Sequence, residues 1–503
     1  NDLEGEDVFR FWTAFSLKHG STTLDMLRGL PSEEDSESNV FDARYGTLPG
    51  VPSARSVRGA TGTPYGLQLL TVSAGPVQDA LSLLQPRNPL GAVMLLVDGI
   101  FTGERLAVSR EGKKVVLIGT AAQIVDGNLA GTSYNVTALA SHGPLRIEDV
   151  GNEGQTLMLA PMQGGGEPIP IAVVQTREAK AEVLAEIVCA VARVCFEAGC
   201  TLVRGGSDDS QVMLSAWGIV KSKFRGRLPF SKRDQWKDPF DGSFFYTAEW
   251  DQHTLRNTTA TFRARDCILP GCDSFNVDRV ITEALGLYRE AGRLCMPLNA
   301  SRSTVDGKRL YNTMGKPDAD RWWDKLTGTC GVGIGCISPA DHMAFKPEGL
   351  VHAAHECWAA MGYRGLAKLS KMCFDARAAF RGEHDGDVLT TVAGLNEASL
   401  FVQGWNESRS GARSLANTSH KRGALSATLS NSIIHTAADF EACTNYLIEG
   451  GATVDSLSPQ VYGSRHCETV HYFIRAYDKN ATAGHLQEVI GKAMVLYGLD
   501  HDW

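Results

Sequence analysis

The sequence lacks the signatures by which the commonest enzyme classes are identified. It contains no G-x-x-x-x-G-K-[ST] phosphate loop and no G-x-S-x-G nucleophile turn. The first absence argues against a P-loop nucleotide hydrolase, and the second argues against an α/β-hydrolase. Internal repeats, heptads and low-complexity tracts are missing too. Any functional hypothesis therefore depends on weaker features than a diagnostic motif.

Long apolar runs are also absent. The most apolar helical stretch, residues 176–199, is interrupted by Glu182, Glu186 and Arg193. It does not predict a membrane span, which needs about 20 predominantly apolar residues. The first residues, NDLEGEDVFRFW, are acidic and lack the apolar core of a secretory signal. We expect a cytosolic protein that makes no membrane contact.

Cysteine pairs at the usual spacing of a zinc ribbon are missing as well. The chain has 12 cysteines, but its close pairs have C-x4-C or C-x5-C spacing: Cys195/Cys200, Cys267/Cys272 and Cys330/Cys336. A zinc ribbon usually shows C-x2-C twice. We therefore predict reduced cysteines and no metal or other cofactor.

The composition is that of a large folded protein. Hydrophobic residues make up 43% of the chain and charged residues 21%, which is typical of a globular protein. The net charge of −8 argues against a surface that binds nucleic acid everywhere, but it allows a local basic patch.

Residues 176–199 carry the strongest helical pattern. Thr176 is a suitable N-cap, and Glu178 would lie in the first turn, where a negative charge suits the helix dipole. Apolar residues at three- and four-residue spacing, among them Ile187 and Val191, predict one buried face. Gly199 stands where a left-handed C-cap is common. We predict that this is a central packing helix.

The order of the other elements predicts an α+β fold. We expect strands at residues 92–100, 105–108, 114–119, 156–161, 169–175, 388–394 and 398–402, and a turn at Gly205 and Gly206. Helices are expected at 436–449 and 482–497, each with a threonine cap. Strands and helices do not alternate as βαβ units would. We expect a single large α+β region over residues 1–503. It can be subdivided into an N-terminal helix and extended arm (1–66), a strand-rich part with the central helix (67–260) and a mainly helical part (261–503).

Three short stretches suggest possible chemistry, and each has a plainer interpretation. His352, His355 and Glu356 could share one face of a helix and bind a metal, although their order is not H-E-x-x-H and interior histidines explain them as well. The segment CGVGIGC at residues 330–336 lacks the third glycine of a dinucleotide loop and favours a turn. The acidic residues of GGSDDS at 205–210 could bind Mg²⁺, but helix capping explains them better.

Basic and aromatic residues alternate at residues 221–237, KSKFRGRLPFSKRDQWK. Cations for phosphates beside aromatic rings for bases are how single-stranded nucleic acid is held. A solvated loop is the alternative. The candidates for RNA contact are Lys221, Lys223, Arg225, Arg227, Lys232 and Arg233.

Three stretches, AKAEVLAEIVCAVARVCFEAG, SDDSQVMLSAWGIVK and the loop LPGVPSARSVRGATGTPYG, together resemble the capsid protein of a totivirus-like double-stranded RNA virus. The resemblance implies a plate-like, mainly helical subunit with several small antiparallel sheets. It also implies dimers, an icosahedral shell around viral RNA and the viral RNA polymerase, and a location in the virion and host cytoplasm. Some relatives decap host messages through a histidine, but no motif identifies an equivalent among the thirteen histidines.

The resemblance makes a structural, non-enzymatic role the first expectation, with no catalytic residue. Two alternatives stay open. One is a cytosolic metal-dependent enzyme that uses His352, His355 and Glu356. The other is a non-viral RNA-binding protein that uses residues 221–237.

Overall fold

The computed structural model describes residues 69–111, 114–125, 128–130, 133–135, 146–208, 210–224, 244–249, 266–267, 275–276, 387–412, 427–477 and 481–482, with nine further single positions between 364 and 497. The chain divides into two compact units. The first comprises Asn1–Gly205, Val212–Phe244 and Ser464–Trp503, and the second comprises Gly206–Gln211 and Phe245–Gly463. The first unit is therefore discontinuous in sequence.

The first unit is built on a mixed sheet. Four of its strands are β1 (Ala92–Phe101), β7 (Glu153–Pro161), β8 (Ile169–Thr176) and β9 (Thr201–Asp208), in the order β9-β1-β7-β8. β1 pairs antiparallel with β7, and β7 pairs antiparallel with β8. These strands confirm the predicted strands at 92–100, 156–161 and 169–175.

Strand β9 runs parallel to β1. Its first residue, Thr201, donates its backbone N–H to the carbonyl of Gly91, which immediately precedes β1, at 2.8 Å. Three residues further along each strand, Arg204 Nε lies 3.1 Å from Met94 Sδ. Both strands therefore run in the same direction and begin at the same end of the sheet.

Helices cover both faces of this sheet. Every residue of β8 and nearly every residue of β7 is buried, whichever face its side chain points to. Helix α1 (Ala74–Leu84) packs on β7 and β8, and α6 (Arg465–Tyr477) packs on β1 and β7. Burial on both faces explains why these strands contain continuous apolar runs that do not alternate with polar residues.

Helix α2 (Ala181–Glu197) is the predicted packing helix, but it begins later than the sequence pattern indicated. Thr176 is the last residue of β8, paired with Glu153, so it does not cap the helix. Lys180 is the N-cap, and Glu178 lies in the linker with a φ of 44°. The ladder to β7 holds Thr176 in extended backbone, which overrides its capping preference.

The buried face and the C-cap of α2 agree with the sequence. Ile187 and Val191 are fully buried. Gly199 has a φ of 82°, and its N–H bonds to the carbonyl of Phe196 at 3.0 Å, while the N–H of Cys200 bonds to the carbonyl of Cys195 at 2.9 Å. These two bonds form a Schellman motif, in which a left-handed residue satisfies the last carbonyls of the helix.

The predicted turn at Gly205 and Gly206 is wrong, because both residues lie inside β9. Helix α3 (Gln211–Phe224) follows, and its Trp217 packs over Gly205 so closely that a Cβ there would lie 2.5 Å from the indole ring. The glycine gives room for the tryptophan rather than a change of direction. Asp208 Oδ1 accepts the N–H of Ser210 at 3.2 Å, which agrees with a capping role.

Small antiparallel sheets accompany the main one. β2 (Ala107–Glu111), β3 (Lys114–Ile118) and β6 (Ser133–Asn135) form one, and β4 (Gln123–Val125) pairs with β5 (Asn128–Ala130). A further short pair is β11 (Asp266–Cys267) with β12 (Phe275–Asn276). β2 begins two residues later than predicted and extends to Glu111.

The described part of the second unit holds β10 (Phe245–Glu249), α4 (Val388–Ala412) and α5 (Ala427–Glu449). β10 is the neighbour of β9, which ends in this unit. The strands predicted at 388–394 and 398–402 are wrong, because both stretches belong to α4. Its buried residues recur every three or four positions: Val388, Thr391, Leu395, Ala398, Val402 and Trp405.

Helix α5 starts at Ala427, nine residues before the predicted cap Thr436, which is buried inside the helix. Taken together, the helices and the several sheets give a mixed α and β protein, as expected. The succession β8–α2–β9–α3–β10 does alternate, contrary to the sequence analysis. No helix in the described ranges is long and apolar enough to cross a membrane.

Candidate functional site

The carboxyl half of β1 carries the candidate site. The strand's first six residues, AVMLLV, are apolar and buried, and Asp98 is the first charged residue after them. Its side chain is 16% exposed. Oδ1 of Asp98 accepts the N–H of Gly99 at 2.9 Å. A carboxylate thus stands at the surface end of a central strand.

Helix α6 brings a histidine to this carboxylate. The helix is amphipathic, and its buried residues follow a helical period: Cys467, Val470, His471 and Ile474. The Nδ1 atom of His471 lies 3.5 Å from Asp98 Oδ2, and Nε2 lies 2.9 Å from Thr156 Oγ1. Thr156 stands directly opposite Asp98 in the β1–β7 register.

The imidazole of His471 is neutral. Its side chain is only 5% exposed, and burial, followed by the nearby charge of Arg475, lowers its pKa from 6.5 to about 3. Although Asp98 would favour the charged form, the cost of desolvation is larger in this interior position. Because the ring is neutral, its 3.5 Å contact with Asp98 is not an ion pair.

Two further pairs of polar side chains near Asp98 are joined by hydrogen bonds. Thr102 Oγ1 donates to Gln175 Oε1 at 3.3 Å, and Gln155 Nε2 donates to Thr176 Oγ1 at 3.2 Å. These four residues are buried. These two hydrogen-bonded pairs make this end of the sheet polar, in contrast to the apolar beginning of β1.

The first turn of α6 makes contacts of its own, apart from those of His471. Nδ1 of His466 lies 3.1 Å from Glu167 Oε2 and 3.0 Å from the hydroxyl of Tyr497. Glu167 follows three glycines with positive φ between β7 and β8. The helix that carries His471 is therefore held at two points.

Chemically, Asp98 is the group that can act on a ligand. It is the most exposed of Asp98, His471 and Thr156, since its side chain is 16% exposed while that of His471 is 5% exposed and Thr156 is fully buried. A carboxylate can accept a proton from water or from a substrate hydroxyl. Thr156 has no access to a substrate, so a nucleophilic role does not fit it.

A second cluster of titratable groups lies in the second unit. Asp439 Oδ2 accepts the N–H of Tyr246 at 3.1 Å and lies 3.3 Å from His435 Nε2. The Tyr246 and His435 rings stack with centroids 4.1 Å apart. Burial, and then the charge of Asp439, raises the pKa of Tyr246. These contacts join β10 to α5.

Few of the sequence candidates fall on described residues. Lys221 and Lys223 lie on the last turn of α3, where Lys223 forms a salt bridge with Glu186 of α2. The other candidates lie outside the described residues: Arg225, Arg227, Lys232, Arg233, His352, His355, Glu356 and the segment 330–336. Across the residues that the structure does describe, no group of three or more potential ligands could hold a metal ion.

The sequence analysis missed Asp98, Thr156 and His471. One signal was present for Asp98, because a carboxylate directly after six apolar strand residues is unusual in a buried strand. For His471 the signal was its place on the apolar stripe of an amphipathic segment. No feature of the sequence indicated that Asp98 and His471 would lie close together.

No protein-family model matches the chain, and no curated protein matches it. Among solved structures, the chain is similar to one described as the Drosophila P element transposase strand transfer complex. The sequence identity is 11%, the TM-score is 0.49, and the match covers 99% of this chain and 92% of that one. A likeness at this level carries no functional argument.

Proposed function

We propose that the chain is a hydrolase of phosphodiester bonds in nucleic acid, with Asp98 as its general base. The observation that carries this proposal is the position of Asp98. It is a partly exposed carboxylate in the carboxyl half of a strand that has a parallel neighbour, and ligands commonly bind near the carboxyl ends of parallel strands. The neutral His471 behind it leaves the negative charge on the carboxylate.

In this mechanism Asp98 takes a proton from a water molecule as the water oxygen attacks phosphorus. A new P–O bond forms, the P–O bond to the leaving sugar oxygen breaks, and that oxygen takes a proton from solvent. A well-placed general base typically contributes about 10²- to 10⁴-fold to a rate. The carboxylate is the only catalytic group that we assign.

The substrate class rests on residues 221–237. Their cations and aromatic rings suit a single strand, and the net charge of −8 restricts nucleic-acid contact to such a local patch. Because Lys223 already pairs with Glu186, we assign the phosphate contacts first to the arginines of this stretch, Arg225, Arg227 and Arg233.

The test is cleavage of 5′-labelled single-stranded RNA and DNA oligonucleotides, with Mg²⁺ in one arm and EDTA in another. We expect Asp98→Asn to slow cleavage by about 100-fold or more. Asp455→Asn, which removes an exposed carboxylate from the second unit, is the matched control and should retain the wild-type rate. Wild-type cleavage that survives in Asp98→Asn would refute the proposal.

A second candidate is the self-assembling capsid subunit implied by the sequence resemblance, with a plate-like shape and a place in the virion. The observation that favours it is a set of exposed apolar side chains in the first unit: Phe101 is 83% exposed, Val108 64% and Ile147 60%. Exposed apolar surface often marks an interface. In this proposal the partners are further copies of the chain, viral RNA and the viral RNA polymerase, in the host cytoplasm.

Sedimentation velocity and electron microscopy test the second candidate. The wild-type protein should form very large particles, and the double change Phe101→Ser with Val108→Ser should shift it to small oligomers. Leu400→Ser, which alters an exposed apolar residue of the second unit, is the control and should leave the particles intact. A wild-type monomer at micromolar concentration would rule out the capsid role.

A further inference from the structure

Thr156, His471 and Asp98 form a series of side-chain contacts across three elements. Thr156 is on β7, His471 on α6 and Asp98 on β1. Asp98 and Thr156 are cross-strand partners, and the imidazole spans them with contacts of 3.5 Å and 2.9 Å. The series runs from a fully buried hydroxyl to a partly exposed carboxylate.

The partners determine which ring nitrogen carries the proton. An ionised carboxylate can only accept, so Nδ1 must hold the hydrogen that it shares with Asp98. In a neutral ring Nε2 is then an acceptor, and the hydroxyl of Thr156 is its donor. One tautomer therefore satisfies both contacts, and the other would leave a carboxylate and a ring nitrogen facing each other without a proton.

Both oxygens of Asp98 are consequently held. Oδ1 accepts the N–H of Gly99, and Oδ2 lies 3.5 Å from Nδ1 of His471. The ring is itself confined, because Cys467, Val470 and Ile474 around it are fully buried and its helix is fixed at His466. Groups that support a reacting side chain in this way raise activity by limiting its orientation.

We propose that Thr156 and His471 are positioning residues, and that Thr156, acting through the ring, holds the carboxylate of Asp98 in its reactive orientation. This inference rests on the proposed role of Asp98. The competing explanation is a purely structural bridge between α6 and the sheet, which would affect stability but not the rate of the folded protein.

The experiment combines nuclear magnetic resonance with kinetics. Proton-coupled spectra of ¹⁵N-histidine-labelled protein report the tautomer of His471, whose signal is assigned by its loss in His471→Gln. We expect the proton on Nδ1. Thr156→Val should lower kcat on the RNA oligonucleotide by about three- to tenfold with KM unchanged, which is the effect of losing one orienting hydrogen bond. Thr156→Ser, which keeps the hydroxyl, should restore it.

Thr444→Val is the matched control. Thr444 is a buried threonine of α5 whose hydroxyl donates to the carbonyl of Phe440 at 2.9 Å, so its change costs a similar hydrogen bond and should leave kcat unaltered. A wild-type proton on Nε2 would overturn the inference, as would a Thr156→Val protein with unchanged kcat beside an inactive Asp98→Asn. An active Asp98→Asn would overturn the proposed function and this inference together.

Discussion

Each unit of the molecule contains a histidine beside an aspartate, and the two pairs are built differently. His471 and Asp98 come from a helix and a strand far apart in sequence, whereas His435 and Asp439 are four residues apart on α5. The side chain of His471 is 5% exposed, and that of His435 is 32% exposed. Only the first pair is also tied to a third, fully buried partner, Thr156.

The difference shows that burial, more than the proximity of a carboxylate, determines what a histidine contributes. In the first unit the low pKa of His471 follows from desolvation, despite the aspartate beside it. In the second unit solvent reaches His435, so the pair is a partly screened contact of the kind that stabilises a protein only slightly. The four predictions below test this comparison, beginning with the largest effect.

A buried charge without a partner should destabilise the folded protein by more than either histidine–aspartate pair stabilises it. Ile187 on α2 is fully buried, so Ile187→Asp should destabilise the protein by about 4 kcal/mol, or prevent folding. Val183→Asp, one turn earlier on the same helix at a half-buried position, is the control and should cost clearly less. Urea unfolding followed by circular dichroism measures both. An unchanged midpoint for Ile187→Asp would contradict the assigned face.

Removing the two imidazoles should have unequal consequences. His471→Ala creates a cavity and removes the contacts of the ring with Thr156 and Asp98, at a cost of about 3 kcal/mol. His435→Ala, at a partly exposed position, should cost less than about 1 kcal/mol. The measurement is the free energy of unfolding of each variant. Equal losses would show that burial is not the deciding difference.

Acid should reveal the energetic cost of burying the neutral ring of His471. The pKa of His471 is about 3 in the folded protein and 6.5 as its ordinary value. Below pH 6.5 only the unfolded chain takes up this proton, so stability is complete above pH 6.5 and falls towards pH 3. The slope from this group approaches about 1.4 kcal/mol per pH unit.

Carboxylates also titrate in this range, so the contribution of His471 is read as a difference between proteins. His471→Gln should lose the slope that is due to the imidazole, and the difference between its curve and that of the wild type measures this contribution. Unfolding free energies at intervals between pH 7 and pH 4 provide the comparison. Identical curves for wild type and His471→Gln would mean that the ring is not buried neutral.

The smallest effect concerns the second pair. Asp439→Asn removes the charge but keeps an oxygen that can accept the N–H of Tyr246, so the stability loss should be about 1 kcal/mol. Since Asp439 helps to raise the pKa of Tyr246, the same change should lower that pKa in an ultraviolet titration. A rise in the pKa would contradict the proposed electrostatic contribution.

The sequence predicted those elements whose pattern had only one explanation. The apolar runs of β1, β7 and β8, and the buried face of α2, were recognised because their periods were clear. Helix α4 was taken for two strands because short apolar runs fit either structure. Thr176 and Gly205 were misassigned because their roles depend on distant residues: Glu153 across the sheet, and Trp217 above the glycine.

The site was not predictable for a related reason. Thr156 and His471 lie 315 positions apart, and neither belongs to a motif. Local patterns report periodicity, caps and turns, but they do not report which strand a later helix will cover. Predicting the trio would have required the register of β1 against β7 and the docking of α6 at the same time.

The separation of α6 from its sheet also has a consequence for synthesis. A ribosome that adds about 5–20 residues per second needs roughly 15–60 s to proceed from Thr156 to His471. During that interval β1, β7 and β8 are already made, while the helix that packs on β1 and β7 is not. The second unit emerges in between. Until α6 is made, one apolar face of the first unit is exposed to water, and Asp98 lacks its contact with His471. A chaperone that covers this face on the nascent chain would bind after β8 has emerged and leave once α6 is complete.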